Sequence, residues 1–146
     1  MKPNYTILLI FLLTTSCFKE SYVAKMKNNQ PHFTSRYKDI LFEWNKIIKS
    51  HHLNGELKIL EIQSGTDTIN KISYFYLLGK SSNDSLKMAQ LLIYSKNKFY
   101  LKKDTVISCI CFGCGNSTPK MSFDEWGWYC ENNDISGCQK IIDLTY

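Results

Sequence analysis

The clearest pattern of apolar and polar positions in the chain lies between Ser35 and Ser50. Apolar residues recur there at spacings of three and four, at Tyr37, Ile40, Leu41, Trp44, Ile47 and Ile48. This spacing places them on one face of an α-helix, with Trp44 at the centre of that face. Thr34 or Ser35 is suited to cap the first turn, and Asn54-Gly55 to form a turn beyond the end. We therefore expect an amphipathic helix whose Trp44 anchors it to the core.

After Gly55 the apolar positions change from a helical period to a period of about 2, which is typical of β-strands. Five runs rich in β-branched and aromatic residues follow, at 56–63, 69–79, 86–95, 98–101 and 104–112. Turn residues separate the runs, as in an antiparallel meander. Several runs are apolar on both faces, so we expect the helix to cover one face of the sheet and the C-terminal segment the other. The pattern predicts one α+β domain over residues 35–146, with an N-terminal amphipathic helix on a meander of about five strands.

The first residues of the chain have the pattern of a secretory signal peptide. Lys2 supplies positive charge, Ile7 to Leu13 is an unbroken apolar run, and small polar residues lead to Cys17. These are the three regions of an export signal. The apolar run is too short to cross a bilayer, which takes about 20 residues. We expect residues 1–16 to be removed and the protein to be exported to the cell envelope.

The end of this signal resembles the lipobox of bacterial lipoproteins. Ser16 and Thr15 match the small residues before the acylated cysteine, whereas Thr14 stands where the pattern prefers a branched apolar residue. The resemblance implies that Cys17 carries acyl chains such as palmitate and anchors the protein, most simply in the outer membrane of a Gram-negative bacterium. The alternative is cleavage by the ordinary signal peptidase, which leaves Cys17 as a thiol. Residues 17–34 are polar and lack periodicity, so we expect a flexible tether there.

Charge is distributed unevenly along the predicted mature chain. Residues 18–103 hold 15 basic and 7 acidic residues, and residues 104–146 hold 2 basic and 6 acidic residues. The basic part is suited to anionic lipid headgroups or to an acidic partner. Lysines scattered over a solvated surface are the simpler interpretation, and the one that we favour from the sequence. An exported chain with a single arginine and no binding motif is not expected to bind nucleic acid.

Five cysteines lie in the predicted domain, at Cys109, Cys111, Cys114, Cys130 and Cys138. In the last predicted strand Cys109 and Cys111 point to the same face, about 6.5–7 Å apart, which disfavours a bridge between them. Each is better placed to reach Cys130 or Cys138, or one of them Cys114. In an oxidising compartment we expect two disulfides that staple the C-terminal loop segment, with one thiol left over.

Neither a metal site nor a catalytic site stands out. The spacing of the cysteines differs from known structural zinc patterns, and the histidines lie elsewhere, at His32, His51 and His52. A nucleophilic Cys114 would need a base that the sequence does not supply. Asp124 and Glu125 are adjacent, and adjacent side chains do not face one another as an acid/base pair must. We therefore expect no catalytic residue, no metal and no cofactor.

The segment from Gly113 to Cys138 is long for a loop, and long loops are commonly functional. It carries aromatic and acidic residues at Phe123, Asp124, Glu125, Trp126, Trp128, Tyr129, Glu131 and Asp134. One interpretation is a recognition surface, formed by Trp126, Trp128, Tyr129, Asp124 and Glu125, for a basic protein or a glycan. The other, which we favour, is that Trp126 and Trp128 pack on the disulfides and cover the sheet. The two are compatible, because alternate aromatics can face opposite ways.

The function that these observations favour is macromolecule binding by a membrane-anchored envelope lipoprotein, of the kind found in inhibitors and immunity proteins. A small envelope enzyme and a structural component of an outer-membrane assembly are the alternatives. The sequence leaves open whether the domain faces the periplasm or the cell exterior.

Overall fold

The computed structural model describes residues 22–102, 107–114, 117–124, 127–131 and 139–144. In these ranges the elements are β1 (Ala24–Lys27), β2 (Gln30–Phe33), α1 (Arg36–Ser50), β3 (Leu57–Thr66), β4 (Ser73–Ser81), β5 (Leu86–Ser95), β6 (Lys98–Leu101), β7 (Ile107–Phe112), β8 (Pro119–Ser122), β9 (Gly127–Cys130) and β10 (Gln139–Leu144). Within the same ranges no helix is both long and apolar enough to cross a bilayer. The predicted signal peptide and Cys17 lie outside the described residues.

An eight-stranded antiparallel sheet is built around β5. One edge of β5 pairs with β4, which in turn pairs with β3. The other edge is shared, because β7 pairs with Leu86–Ala89 and β6 pairs with Leu92–Ser95. The sheet therefore divides into two branches, β6-β1-β2 and β7-β10.

The prediction of an α+β domain with an antiparallel sheet is confirmed, but the prediction of about five strands is wrong. The sheet gains β1 and β2 before the helix and β10 at its far edge, so α1 is not the N-terminal element. Residues 22–34, predicted as tether, instead form part of the fold: Val23 and Ala24 are fully buried. Asn28 and Asn29 both take positive φ values, 49° and 58°, in the tight turn that joins β1 to β2.

Helix α1 covers the first face of the sheet, as predicted. Its buried residues are Ile40, Trp44 and Ile48, so the prediction of Trp44 as a core anchor is confirmed. Gly79 on β4 makes room for the Trp44 ring, since a Cβ atom there would stand 3.0 Å from it. The side chain of Asn45 fixes the helix to β3 by accepting from the Leu57 backbone N–H (2.8 Å) and donating to the Leu57 carbonyl oxygen (3.1 Å).

The C-terminal segment covers part of the second face, also as predicted. A β8–β9 hairpin packs there against side chains of β4, β5 and β7. The resulting second core contains Tyr74, Tyr76, Leu78, Ala89, Leu91, Cys109, Cys111, Cys114, Met121, Trp128 and Cys130. Two apolar cores thus lie on opposite faces of one sheet.

Candidate functional site

The β8–β9 hairpin is the candidate functional site. Its register pairs Pro119 with Cys130 and Met121 with Trp128. All four of these residues are buried, Trp128 with only 2% of its surface exposed. Because side chains alternate along a strand, the intervening positions point away from the sheet. These outward residues are Lys120, Ser122 and Tyr129, and Tyr129 is 39% exposed.

A disulfide between Cys111 and Cys130 fastens β9 to β7 across the two layers. The two Cα atoms are 5.9 Å apart, and the residues are separated by 19 positions in sequence. Closing a loop of this size stabilises the folded state by about 3 kcal/mol. The prediction of a disulfide in this segment is confirmed. Cys114 is also disulfide-bonded, whereas Cys138 lies outside the described residues.

Cys109, which lies next to this disulfide, is a buried free thiol. Its Sγ atom lies 3.9 Å from that of Cys111, and the sulfur atoms of Cys109, Cys111 and Cys130 all lie within 4.8 Å of one another. Burial raises the pKa of the Cys109 thiol to about 12, although the Lys140 ammonium acts in the opposite direction. Two of these sulfur atoms are bonded to each other, so in the oxidised protein only Cys109 offers this cluster a thiol ligand.

Aromatic side chains of the sheet pack against the inward face of the hairpin. The Trp128 ring lies edge-on to Tyr76 and Tyr74, with ring centres 5.9 and 6.5 Å apart. The Tyr74 hydroxyl accepts a hydrogen bond from the Met121 backbone N–H at 3.0 Å. Gly65 on the neighbouring strand permits this position, because a Cβ atom there would stand 2.5 Å from that hydroxyl. The hairpin is thereby fixed to the sheet by packing as well as by the disulfide.

A polar contact holds the tip of the hairpin. The buried carboxylate of Asp67, just after β3, accepts a hydrogen bond from the Phe123 backbone N–H at 2.8 Å. It also accepts from the side chain and backbone of Asn70. These hydrogen bonds, that from Phe123 foremost, lower the pKa of Asp67. Asn70 in turn donates to the exposed Asp124 at 2.7 Å, so the β3–β4 loop and the hairpin tip form one hydrogen-bonded unit.

The outward surface of the hairpin carries both positively and negatively charged side chains. Lys120 and Glu131 form an ion pair at 2.6 Å, and this contact raises the pKa of the lysine. Asp124 is exposed. Tyr129 lies directly across from Lys120 in the hairpin register. Within the described part of the hairpin, the exposed surface thus combines one aromatic ring, one ion pair and one further carboxylate.

The residues predicted to bind a partner differ in their exposure to solvent. Trp128 is buried, with 2% of its surface exposed, and this favours the packing interpretation for it over a place on the recognition surface. Tyr129 and Asp124 are exposed, in accordance with that surface. Trp126 and Glu125 lie outside the described residues. The burial of Trp128 could have been inferred from its spacing, because it lies two positions before Cys130 on the same face of a strand.

Lys87 is a buried polar residue that the sequence analysis did not single out. It is 6% exposed, and its ammonium donates to the Ser117 carbonyl oxygen at 2.8 Å. Desolvation by burial lowers the pKa of Lys87. Lys87 lies across from Cys111 in the β5–β7 register, so this hydrogen bond ties the chain before β8 to the sheet beside the disulfide.

The chain was compared with protein-family models, with curated proteins and with solved structures, and it matches none of them. A fold does not by itself determine a function, so the surface of the hairpin and the predicted export signal are the features that bear on function.

Proposed function

We propose that the protein is a lipid-anchored envelope protein that binds a macromolecule through the outward surface of its β8–β9 hairpin. The location is supported by the resemblance of residues 1–17 to a lipoprotein signal. Binding through this surface is supported by the way in which the hairpin is held. The Cys111–Cys130 disulfide, the buried Trp128 ring and the Asp67 carboxylate hold it at three separate points.

The observation that carries the proposal is the exposure of Tyr129 on this rigid support. A tyrosine contributes a large contact area with few rotatable bonds, and tyrosines are enriched among the residues that dominate binding energy. A surface held in one conformation loses less entropy when it binds than a flexible loop does.

A protein with a basic surface is the partner that this chemistry favours. Lys120 and Glu131 neutralise one another, which leaves Asp124 as the uncompensated charge on the described part of the hairpin. Residues 104–146 carry six acidic and two basic residues in all, so the segment has an excess of negative charge. Such an excess attracts a positively charged partner and accelerates association.

Site-specific crosslinking in the native membrane tests this proposal. A photoreactive amino acid replaces Tyr129 in one variant and Phe42 in the control; Phe42 is 64% exposed on the helix side of the sheet. We expect a discrete crosslinked partner at position 129 and none at position 42. The partner is then purified, and its affinity for Tyr129→Ser and Phe42→Ser variants is measured.

We expect Tyr129→Ser to weaken binding by about tenfold or more, and Phe42→Ser to leave it unchanged. Asp124→Asn should slow association and make it less sensitive to salt. Identical crosslinking at both positions, or an affinity that does not depend on Tyr129, would contradict the proposal.

A further inference from the structure

A group of lysines at the β6-β1-β2 branch of the sheet lies beyond the area that the hairpin covers. Ala24, Met26, Phe99 and Leu101 point into the first core. Side chains alternate along a strand, so Lys25, Lys27 and Lys98 point to the opposite face. The second core takes no residue from β1, β2 or β6. Lys25 and Lys27 are exposed, and Lys98 is half-buried.

The strand register concentrates these charges. Lys25 lies directly across from Lys98 on one side and from His32 on the other. The turn that carries Lys96 is adjacent, because the Asn97 carbonyl oxygen accepts a hydrogen bond from the Met26 backbone N–H at 2.8 Å. We call Lys25, Lys27, Lys96 and Lys98 the basic edge.

No described carboxylate compensates the basic edge. Residues 22–33 and 93–102 contain no aspartate and no glutamate. Among the described residues, the ion pairs involve other lysines: Lys46, Lys58, Lys80 and Lys120. Like charges directly across a strand pair destabilise a sheet. An anionic partner would remove this repulsion.

Tyrosines flank the same surface. The Lys98 ammonium lies 4.7 Å from the centre of the Tyr22 ring, and Tyr22 lies edge-on to Tyr100 with ring centres 6.4 Å apart. Tyrosine side chains, with an apolar body and a polar tip, favour the boundary between lipid and water. Lysines beside tyrosines are a combination suited to a membrane surface.

We propose that the basic edge binds the anionic headgroups of phospholipids. This inference rests on the proposed lipid anchor and adds the surface that meets the bilayer. Tyr22 lies five residues after Cys17 in the sequence, a distance of at most about 18 Å for an extended chain. An anchor at Cys17 therefore keeps the basic edge within reach of headgroups, whose negative potential extends over about 10 Å.

Lysine acetylation of the whole protein tests this proposal. The full chain is extracted from its native membrane and incorporated into vesicles of phosphatidylcholine with or without about one-third phosphatidylglycerol. It is acetylated briefly, and the modification of each lysine is measured by mass spectrometry. Three exposed lysines of α1, Lys38, Lys46 and Lys49, serve as controls in the same molecule.

In anionic vesicles we expect Lys25, Lys27 and Lys98 to be acetylated several-fold more slowly than in neutral vesicles, and high salt to remove the difference. The three control lysines should react equally in both. Equal rates at the basic edge in both kinds of vesicle would overturn the proposal. Protection that persists in lipid-free detergent would also overturn it, because another protein surface would then cover the edge.

A pair of charge-reversal variants provides a second measurement. Both variants are made in a chain without the anchor, by Cys17→Ala together with deletion of residues 1–16. In this background we expect Lys25→Glu/Lys27→Glu/Lys98→Glu to reduce partitioning of the chain to anionic vesicles by about 100-fold. Lys38→Glu/Lys46→Glu/Lys49→Glu changes the net charge equally and should reduce partitioning much less. Equal losses of partitioning in the two variants would contradict specific binding of headgroups by the basic edge. The anchor is tested separately, by flotation of the unmodified protein with neutral vesicles, so the failure of one proposal is distinguishable from failure of the other.

Discussion

The Sγ atom of Cys109 lies 3.9 Å from the Sγ atom of Cys111, which is itself disulfide-bonded to Cys130. A free thiol thus lies beside a disulfide in the core between the sheet and the hairpin. Thiol–disulfide exchange requires a thiolate, and the raised pKa of Cys109 suppresses that form at neutral pH. The disulfide is therefore protected from the thiol closest to it.

The pKa of Cys109 predicts a loss of stability in alkali. The thiol has an ordinary pKa near 9 in the unfolded chain and one of about 12 in the fold. Between these values the folded state binds more protons than the unfolded state, so the free energy of unfolding falls as pH rises. The slope from this group is at most about 1.4 kcal/mol per pH unit. Denaturant unfolding at pH values from about 8 to about 11, which cover the lower part of this range, measures the slope.

Cys109→Ala is the matched variant for this prediction. It removes the titrating thiol and should make the pH dependence shallower, while Tyr76, whose pKa is raised to about 12 by burial, keeps part of it. An unchanged slope would show that Cys109 does not contribute. Native Cys109 should also resist alkylation at pH 8 and react only after unfolding.

Removal of the Cys111–Cys130 disulfide should loosen the hairpin selectively. We expect Cys111→Ala/Cys130→Ala, made in a Cys109→Ala background to prevent new pairing, to lower the free energy of unfolding by about 2–4 kcal/mol. Hydrogen exchange should accelerate in β8 and β9 more than in α1, because the helix packs on the opposite core. Equal acceleration in both layers would contradict the assignment of the disulfide to the hairpin.

Replacement of Asp67 should release the hairpin tip. The carboxylate has a lowered pKa in the fold, so its contribution to stability is present above the unfolded pKa of about 4 and is lost as pH falls through the folded value. Asp67→Asn should therefore destabilise the protein at pH 7 and weaken its dependence on acid. The amide of Phe123 should exchange faster in this variant.

The control for Asp67 is Asp124→Asn, which alters an exposed carboxylate bound to the same Asn70 side chain. It should have little effect on stability. Equal effects of the two substitutions would contradict the role of the buried carboxylate.

The N-terminal boundary of the domain gives a prediction about truncation. A chain that begins at Ser35 lacks Val23 and Ala24, which are fully buried in the first core, and also the β1 strand that pairs with β6. We expect it to lose cooperative thermal unfolding, whereas a chain that begins at Phe18 should retain it. If the shorter chain unfolds like the longer one, the β1–β2 hairpin is an appendage rather than part of the domain.

The helix and the two covered faces of the sheet were predictable because their signals are long. Six apolar residues at helical spacing determine α1, and Trp44 lies where that face predicts it. The β1–β2 hairpin was missed because each strand has four residues and the tight turn contains Asn28-Asn29 rather than a glycine. β2 also contains Pro31, which an edge strand such as this one tolerates.

The polar contacts of the site were not predictable from local patterns. Asp67 resembles an ordinary turn residue, and its hydrogen bond reaches Phe123, 56 positions further along the chain. Lys87 interrupts an apolar run, a local signal of a special position, but its acceptor at Ser117 is 30 positions away. Such contacts depend on the hairpin folding back over the sheet, which no local periodicity describes.

One measurement tests the central claim, a lipid-anchored domain with a disulfide-fixed hairpin, most directly. The protein is extracted from its native membrane, its free thiols are alkylated under denaturing conditions without reduction, and its intact mass and disulfide-linked peptides are determined. The account predicts cleavage after Ser16, acyl chains on Cys17, a linked peptide pair containing Cys111 and Cys130, and alkylation of Cys109. A chain with an uncleaved N-terminus and unmodified Cys17, or with Cys111 and Cys130 both alkylated, would contradict it.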